Sequence, residues 1–297
     1  MAEPKIAVVG ISGQWSSEAL ADALEAATGF RLLVDMGRVE ADLERGRLDY
    51  QGQDLCRLDG VMVKKISAQY SPHSLDRLEM LRLLEGRGVR VFSPVRSMLG
   101  LIDRLSCTMT LRNAGIPMPP TRVTESVELA LATLREYGSA VFKPLFSTKA
   151  RGMIVLDATD DPAQLRRRIE AFQAANPVMY IQQRLELPGR DLGMVFLAGE
   201  YLGSYARVGS GDAWNTTIHS GGRYEGHQAE AELVDLARRA QAPFQLDFTT
   251  VDVAETAAGP VVFEVSAFGG FRGALKGMGI DVAQRYAAHA LEQLAGA

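Results

Sequence analysis

The sequence predicts a mixed α/β (α+β) protein, and three observations carry that reading. Residues 1 to 97 alternate short β-branched runs with amphipathic helical stretches, the pattern of a small parallel-sheet layer. The proline-rich text IPMPPTRVT, at 116–124, then breaks the chain. Beyond it lie paired strands, among them the long runs LDFTTVDVAET and GPVVFEVSAF, joined by a short turn near Ala258 and Gly259.

The elements follow in order. The run KIAVVG, closed by Gly10, reads as the first strand, and Ser16 or Ser17 is expected to cap a helix carrying Leu20, Ala23, Leu24 and Ala27 at helical spacing. A strand at RLLVDM, a hairpin about Gln51 and Gly52 and a strand at GVMVKKI come next. A helix with Leu75, Leu78, Leu81 and Leu84 on one face ends at Gly86 and Gly88, before the strand VRVFSP. A helix over 103–113 stops at Gly115 and Pro117. Then come a helix at 126–137, the strands SAVFKPL and RGMIVLDA, a helix at 161–175 and the strand VMYIQQRL. The remainder holds the strands GMVFLAG and EYLGSYARV, a polar glycine-rich loop at 209–226, a helix at 228–241, the two facing strands and a terminal amphipathic helix. Three units are expected: 1–97, 98–180 and 181–297.

At 297 residues, 47% hydrophobic and 23% charged, the chain is large enough for a sizeable core. Its 32 Lys and Arg against 36 Asp and Glu leave a net charge of −4, so no general basic field exists to hold nucleic acid or an anionic membrane. Small-molecule or peptide substrates are the expected partners, and a homo-oligomer stays open. Cys56 and Cys107 form no metal-type spacing and are expected as reduced core thiols. The apolar run from Ile6 to Ile11 is too short for a signal-peptide core, which gives an expectation of a cytoplasmic protein. The GISG loop reads as a tight turn, since two glycines make no dinucleotide fingerprint.

Three stretches carry chemistry. In VFKPLFSTKARGM a strand ends at Lys143 and a loop follows with Ser147, Thr148, Lys149, Arg151 and Gly152, donors and cations suited to folding over a polyphosphate; a solvated basic hairpin is the plainer reading. Folding the two long strands about residue 258 sets Asp252 across from Glu264, with Ser266 two residues further on the same face. Carboxylates flanked by Val251, Val253, Phe263 and Val265 need compensation, and hard oxygen ligands around Mg²⁺ and nucleotide phosphates supply it. The third stretch, DAWNTTIHSGGRYEG, joins polar side chains to tight glycine turns. Arg166, Arg167 and Arg168 read as a solvated helix face, and the four histidines form no metal spacing.

Together with IPMPPTRVT, YIQQRLELPGRD and FEVSAFGGFRG, these stretches resemble the RimK-like ATP-grasp ligases from about residue 90 onward, with a closer likeness to the RimK-like proteins of the GAK system. The resemblance implies an ATP-grasp fold behind a Rossmann-like pre-ATP-grasp domain, with ATP and Mg²⁺ as cofactors. It assigns Arg104, Lys143, Lys149, Arg151, Asn215 and Thr217 to the nucleotide, and Gln182, Gln183, Arg184, Leu185 and Asp191 to the hinge that grips adenine and ribose. Asp252, Glu264 and Ser266 become metal ligands. Arg207 becomes a substrate- or phosphate-side cation, and Arg272 falls in the loop that holds acceptor or acyl phosphate. Four departures accompany it: Ser266 stands where relatives carry Asn, Asn215 and Thr217 replace an Arg and an Asn, Arg104 replaces a Lys, and the glycine-rich loop reads STKARG. The implied activity is ATP-dependent joining of a carboxylate to an amine. A nucleotide-binding module without turnover and an ATP-grasp small-molecule kinase are the alternatives.

Overall fold

The structure, a computed structural model, describes residues 3–209 and 221–296. Its first layer runs β1 (Ile6–Val9), α1 (Trp15–Thr28), β2 (Leu33–Val34), β3 (Glu40–Asp42), β4 (Arg47–Tyr50), β5 (Gln53–Asp54), β6 (Gly60–Val63), α2 (Pro72–Gly86) and β7 (Arg90–Phe92). Strands β2, β1, β6 and β7 form a parallel sheet in that order. The hairpin at Gln51 and Gly52 belongs to a small separate sheet of β3, β4 and β5. Neither Ser16 nor Ser17 caps α1 as expected. The helix begins after Gln14, and Ser17 Oγ, inside the helix, accepts from the Ile11 N–H at 3.2 Å. Gly10 has no room for a side chain, because a Cβ there would lie 2.8 Å from Ser17 Cβ.

The middle layer holds α3 (Val95–Ile102), α4 (Arg104–Asn113), β8 (Thr121–Thr124), α5 (Val127–Tyr137), β9 (Ser139–Lys143), β10 (Ile154–Asp157), α6 (Pro162–Ala175) and β11 (Met179–Gln183). The expected helix at 103–113 is preceded by α3, because Asp103 leaves helical geometry and accepts from the Leu105 N–H at 3.0 Å, starting a new helix. The text TRVT forms β8, and the antiparallel sheet runs β10-β9-β11-β8.

The last layer holds β12 (Arg190–Leu197), β13 (Glu200–Val208), β14 (Arg223–His227), α7 (Ala231–Gln241), β15 (Phe248–Thr256), β16 (Gly259–Ser266), α8 (Phe271–Met278) and α9 (Val282–Ala295). Its antiparallel sheet runs β14-β13-β12-β15-β16. Part of the expected glycine-rich loop is therefore a strand, β14, paired to β13 with Tyr224 opposite Arg207. Arg272 lies in the first turn of α8, not in a loop. Two glycines hid that helix from propensity, and packing demands them: a Cβ on Gly273 would lie 2.3 Å from Tyr205 Cζ, and one on Gly277 2.7 Å from Tyr205 Cβ.

Three buried clusters result. Two mix residues of the first and last layers, the larger also taking in Val95, Met98, Leu101 and Ile102 of α3 and Cys107 and Leu111 of α4; in the other, Ile6, Leu20, Leu24 and Phe92 pack with Val195, Phe248, Phe271 and Tyr286 as α9 lies on α1. The third draws only on the middle layer, from Ala130 to Ile181, with Phe142 and Phe172 edge to face at 5.7 Å. Among the described residues no helix is long and apolar enough to cross a membrane.

Candidate active site

The last layer supplies a wall of paired charges. Strands β15 and β16 meet with Asp252 opposite Glu264 and Thr250 opposite Ser266, with a bulge just past Asp252. On the other side of β15, β12 and β13 place Asp191 opposite Arg207. The Arg207 guanidinium divides itself between two carboxylates. Its Nε donates to Asp191 at 3.0 and 3.2 Å, and its Nη2 reaches Asp191 Oδ2 and, at 3.0 Å, Asp252 Oδ2. Burial works against the charge on Arg207, but Asp252 and Asp191 outweigh it and hold the group firmly protonated. Burial also pushes Asp252 above the usual carboxylate range, with repulsion from Asp191 and Glu264 adding to it and Arg207 opposing. Glu264 is half-exposed, 3.6 Å from Arg104 Nη1.

The middle layer supplies the facing wall. Lys143, at the end of β9, donates from Nζ to Gln182 Oε1 at 2.5 Å and sits 5.5 Å from the centre of the Phe263 ring. Burial, then the Arg104 charge, push its amine down to about 7, against the pull of Glu264. Arg104 is held by the Pro144 carbonyl, 3.3 Å from its Nε, and lies over the Tyr180 ring. The loop after Lys143 turns through left-handed backbone at Lys149 (φ 61°), Ala150 (φ 57°) and Gly152 (φ 68°). Ser147 Oγ and Thr148 Oγ1 are buried without a hydrogen-bond partner. Lys149 and Arg151 have no carboxylate partner among the described residues. Lys65 of the first layer faces both, and their charges add to burial in lowering its pKa.

The structure thus brings Arg104, Lys143, Gln182, Asp191, Arg207, Asp252 and Glu264 together. Gln183 is turned away by strand alternation: its Nε2 donates to the Tyr137 carbonyl at 3.4 Å. Arg184 is exposed and Leu185 half-buried in the loop between β11 and β12, where the Arg184 N–H is held by the Ser139 carbonyl at 3.0 Å. Ser266 Oγ accepts from the Phe268 N–H at 3.3 Å, closing the turn after β16. Arg272 lies over the Trp15 ring at 5.3 Å. Asn215 and Thr217, and His219 beside them, lie outside the described residues. Trp15, Lys65 and Tyr70 were not singled out as site residues from the sequence. Trp15 opens α1 and the other two lie between β6 and α2, and nothing local in the sequence marks them. The Asp191–Arg207 pair could have been found, since folding GMVFLAG onto EYLGSYARV about Gly199 sets the two opposite one another.

These walls suit a magnesium nucleotide. Two hard carboxylates on adjacent strands match an ion that takes one or two protein carboxylates and completes its shell with phosphate oxygens and water. Two orphaned hydroxyls, an unpaired lysine and an unpaired arginine on the facing loop match the phosphates themselves.

Comparison with known proteins agrees. Residues 102–290 match the model of the RimK-like ATP-grasp domain. The chain is 25% identical over 257 residues to the tetrahydromethanopterin:alpha-L-glutamate ligase of Methanosarcina acetivorans, covering 82% of this chain and 79% of that one. It is 24% identical to the ribosomal protein bS6–L-glutamate ligase of Salmonella paratyphi B, covering 80% and 78%. Among solved structures, the fold matches the ATP-grasp ligase PsnB complexed with a minimal precursor, at a TM-score of 0.75 and 21% identity over 98% of this chain and 99% of that one. It also matches D-alanyl-alanine synthetase A of Vibrio cholerae, at a TM-score of 0.72 and 15% identity over the whole of both chains. The family model covers well over half of the chain: the protein belongs to the RimK-like ATP-grasp family and is a carbon–nitrogen ligase.

Proposed function

We propose that this ligase binds Mg-ATP between the loop at 144–152 and the sheet edge of β15 and β16, and uses it to join a small-molecule or peptide carboxylate to an amine. The observation that carries the reading is the opposition of Asp252 and Glu264 to the half-buried Lys143 and Arg104. The nucleotide supplies the γ-phosphoryl group, which turns a carboxylate into an acyl phosphate with release of ADP; the amine then attacks the acyl carbon and phosphate leaves. The chain's own part is positioning and charge neutralisation. Lys143 and Arg104 meet phosphate oxygens, Ser147 and Thr148 donate their free hydroxyls, and Lys149 and Arg151 close from the loop. Asp252 and Glu264 hold Mg²⁺, with Ser266 at the margin of that shell. Arg207 keeps Asp252 in place, and Arg272 stands on the acceptor side beside Trp15. Gln182 orients Lys143, and the backbone from Gln183 to Leu185 borders the adenine. We assign the amine to the α-amino acid class, because two of the relatives named above are L-glutamate ligases.

The test is a screen of carboxylate and amine pairs for ADP release, with mass spectrometry of the products. Release that needs both partners and yields an amide supports the reading. A stable phosphorylated product without an amine requirement would replace it with a kinase, and nucleotide binding without turnover on any pair with a non-turnover module.

A further inference from the structure

Lys64 follows β6 in the first layer and is 3% exposed. It forms no ion pair among the described residues. Its Nζ donates instead to two main-chain carbonyls far along the chain, Gly269 O at 2.8 Å and Phe268 O at 3.2 Å, and lies 4.5 Å from the centre of the Phe271 ring. Phe268 and Gly269 form the turn between Ser266, the last residue of β16, and Phe271, the first of α8. This turn therefore connects the strand of Glu264 to the helix of Arg272.

The turn is gripped from other sides too. Ser266 Oγ accepts from the Phe268 N–H, and Thr249 Oγ1 donates to Ser266 O at 2.9 Å. Gly269 is pressed onto Thr250, where a Cβ would lie 2.3 Å from its side chain. Tyr70, six residues after Lys64, meets Phe268 edge-on at 6.3 Å. Burying an amine is costly, and a methionine would fill similar space without that cost. What the amine adds is a pair of strong donors that hold two successive carbonyls in one orientation.

We propose that Lys64 is a positioning residue that fixes the turn after β16 from the first layer, so that Glu264 is preset for the metal-bound nucleotide. The inference rests on the reading of Asp252 and Glu264 as magnesium-binding carboxylates. Because the Lys64 amine meets the turn and the adjoining Phe271 ring, its loss acts on the metal-dependent part of nucleotide affinity and spares the contacts made by Lys143 and the loop at 144–152.

Calorimetry with ADP as the probe, with and without Mg²⁺, tests this on wild type, Lys64→Met and Lys64→Gln, with thermal melts to establish folding. Lys64→Met is expected to weaken Mg-ADP binding by about ten-fold or more, to change metal-free ADP binding by less than about two-fold, and to be partly rescued by Lys64→Gln, which keeps an N–H donor. If the methionine variant is unfolded at the assay temperature, the same comparison is read on Lys64→Gln. Wild-type binding with an unchanged Mg-ADP constant in the variant overturns the inference alone. So does an equal loss with and without the ion, which marks a merely structural role. Absence of Mg-ADP binding by the wild type overturns the functional reading and this inference with it.

Discussion

The two walls of the site handle charge in opposite ways. On the last layer the guanidinium of Arg207 is shared by Asp191 and Asp252, and Glu264 faces Arg104. On the middle-layer loop, Ser147 and Thr148 bury hydroxyls with no hydrogen-bond partner among the described residues, and Lys149 and Arg151, without a carboxylate partner among them, face another cation, Lys65. The sheet wall is preorganised and its charges hold one another. The loop wall is complete only around an added anion. An arginine of the first wall is thus a structural element, and an arginine of the second is a ligand contact.

The largest expected effect tests the sheet wall at its metal-facing end. Glu264→Gln preserves shape and removes charge, so it should leave the melting curve in place and lower ADP release by about three orders of magnitude or more. Normal release at saturating Mg²⁺ and ATP would show that Glu264 does not hold the ion. The contrast between the walls is sharpened by treating two arginines alike. Arg207→Met leaves two carboxylates without their partner in a buried site and should cost about 3–5 kcal/mol of stability in denaturant titration. Arg151→Met should change stability by less than about 0.5 kcal/mol and weaken ATP binding by about ten-fold. If both variants behave alike, the distinction between the walls is wrong.

A pH titration reads the loop wall through Lys143. Its amine, pushed down to about 7 in the free protein, is charged below that pH and neutral above it. Phosphate binding favours the charged form, so nucleotide affinity should be constant below about pH 7 and fall above it, by up to about ten-fold per unit. Proton uptake, seen as a dependence of the binding heat on the buffer's ionisation enthalpy, should accompany binding above pH 7 and vanish in Lys143→Met. The groups facing this amine are Arg104, Glu264 and Gln182. The smallest effect is expected at Ser266. Its hydroxyl already closes the turn onto Phe268, a bond that an asparagine oxygen can replace, so Ser266→Asn should alter turnover by less than about ten-fold. A gain of about a hundred-fold would mean that a metal ligand had been missing.

What the sequence revealed, and what it hid, follows the range of the interactions. The facing of Asp252 and Glu264 was legible because both sit on one hairpin, where counting residues from the turn determines the register. Lys143 was legible as the polar end of an apolar strand. Strand β14 was hidden in a run of glycine and polar residues whose pairing partner, not its composition, makes it a strand. Helix α8 was hidden because glycine is selected there to admit Tyr205. Lys64 was illegible in principle from local pattern, since its partners lie 204 and 205 residues away.

The distribution of the three buried clusters bears on how the protein comes apart and how it opens. The first and last layers share their apolar interiors, with Leu20 and Leu24 of α1 packed in one cluster with Tyr286 of α9, so neither can melt without exposing the other's core. The β8–β11 sheet with α5 and α6 keeps its interior to itself, whereas α3 and α4 are packed into a shared core. Heating should therefore reveal two cooperative units, with residues 1–97 melting together with the last layer and not as an independent block. The same partition makes the β8–β11 sheet with α5 and α6 the part that can swing as a body, since its displacement leaves all three buried clusters intact. A hydrogen-exchange profile should then show the loop at 144–152 and β10 responding to nucleotide, while α1 and α9 exchange slowly and together whether or not it is bound.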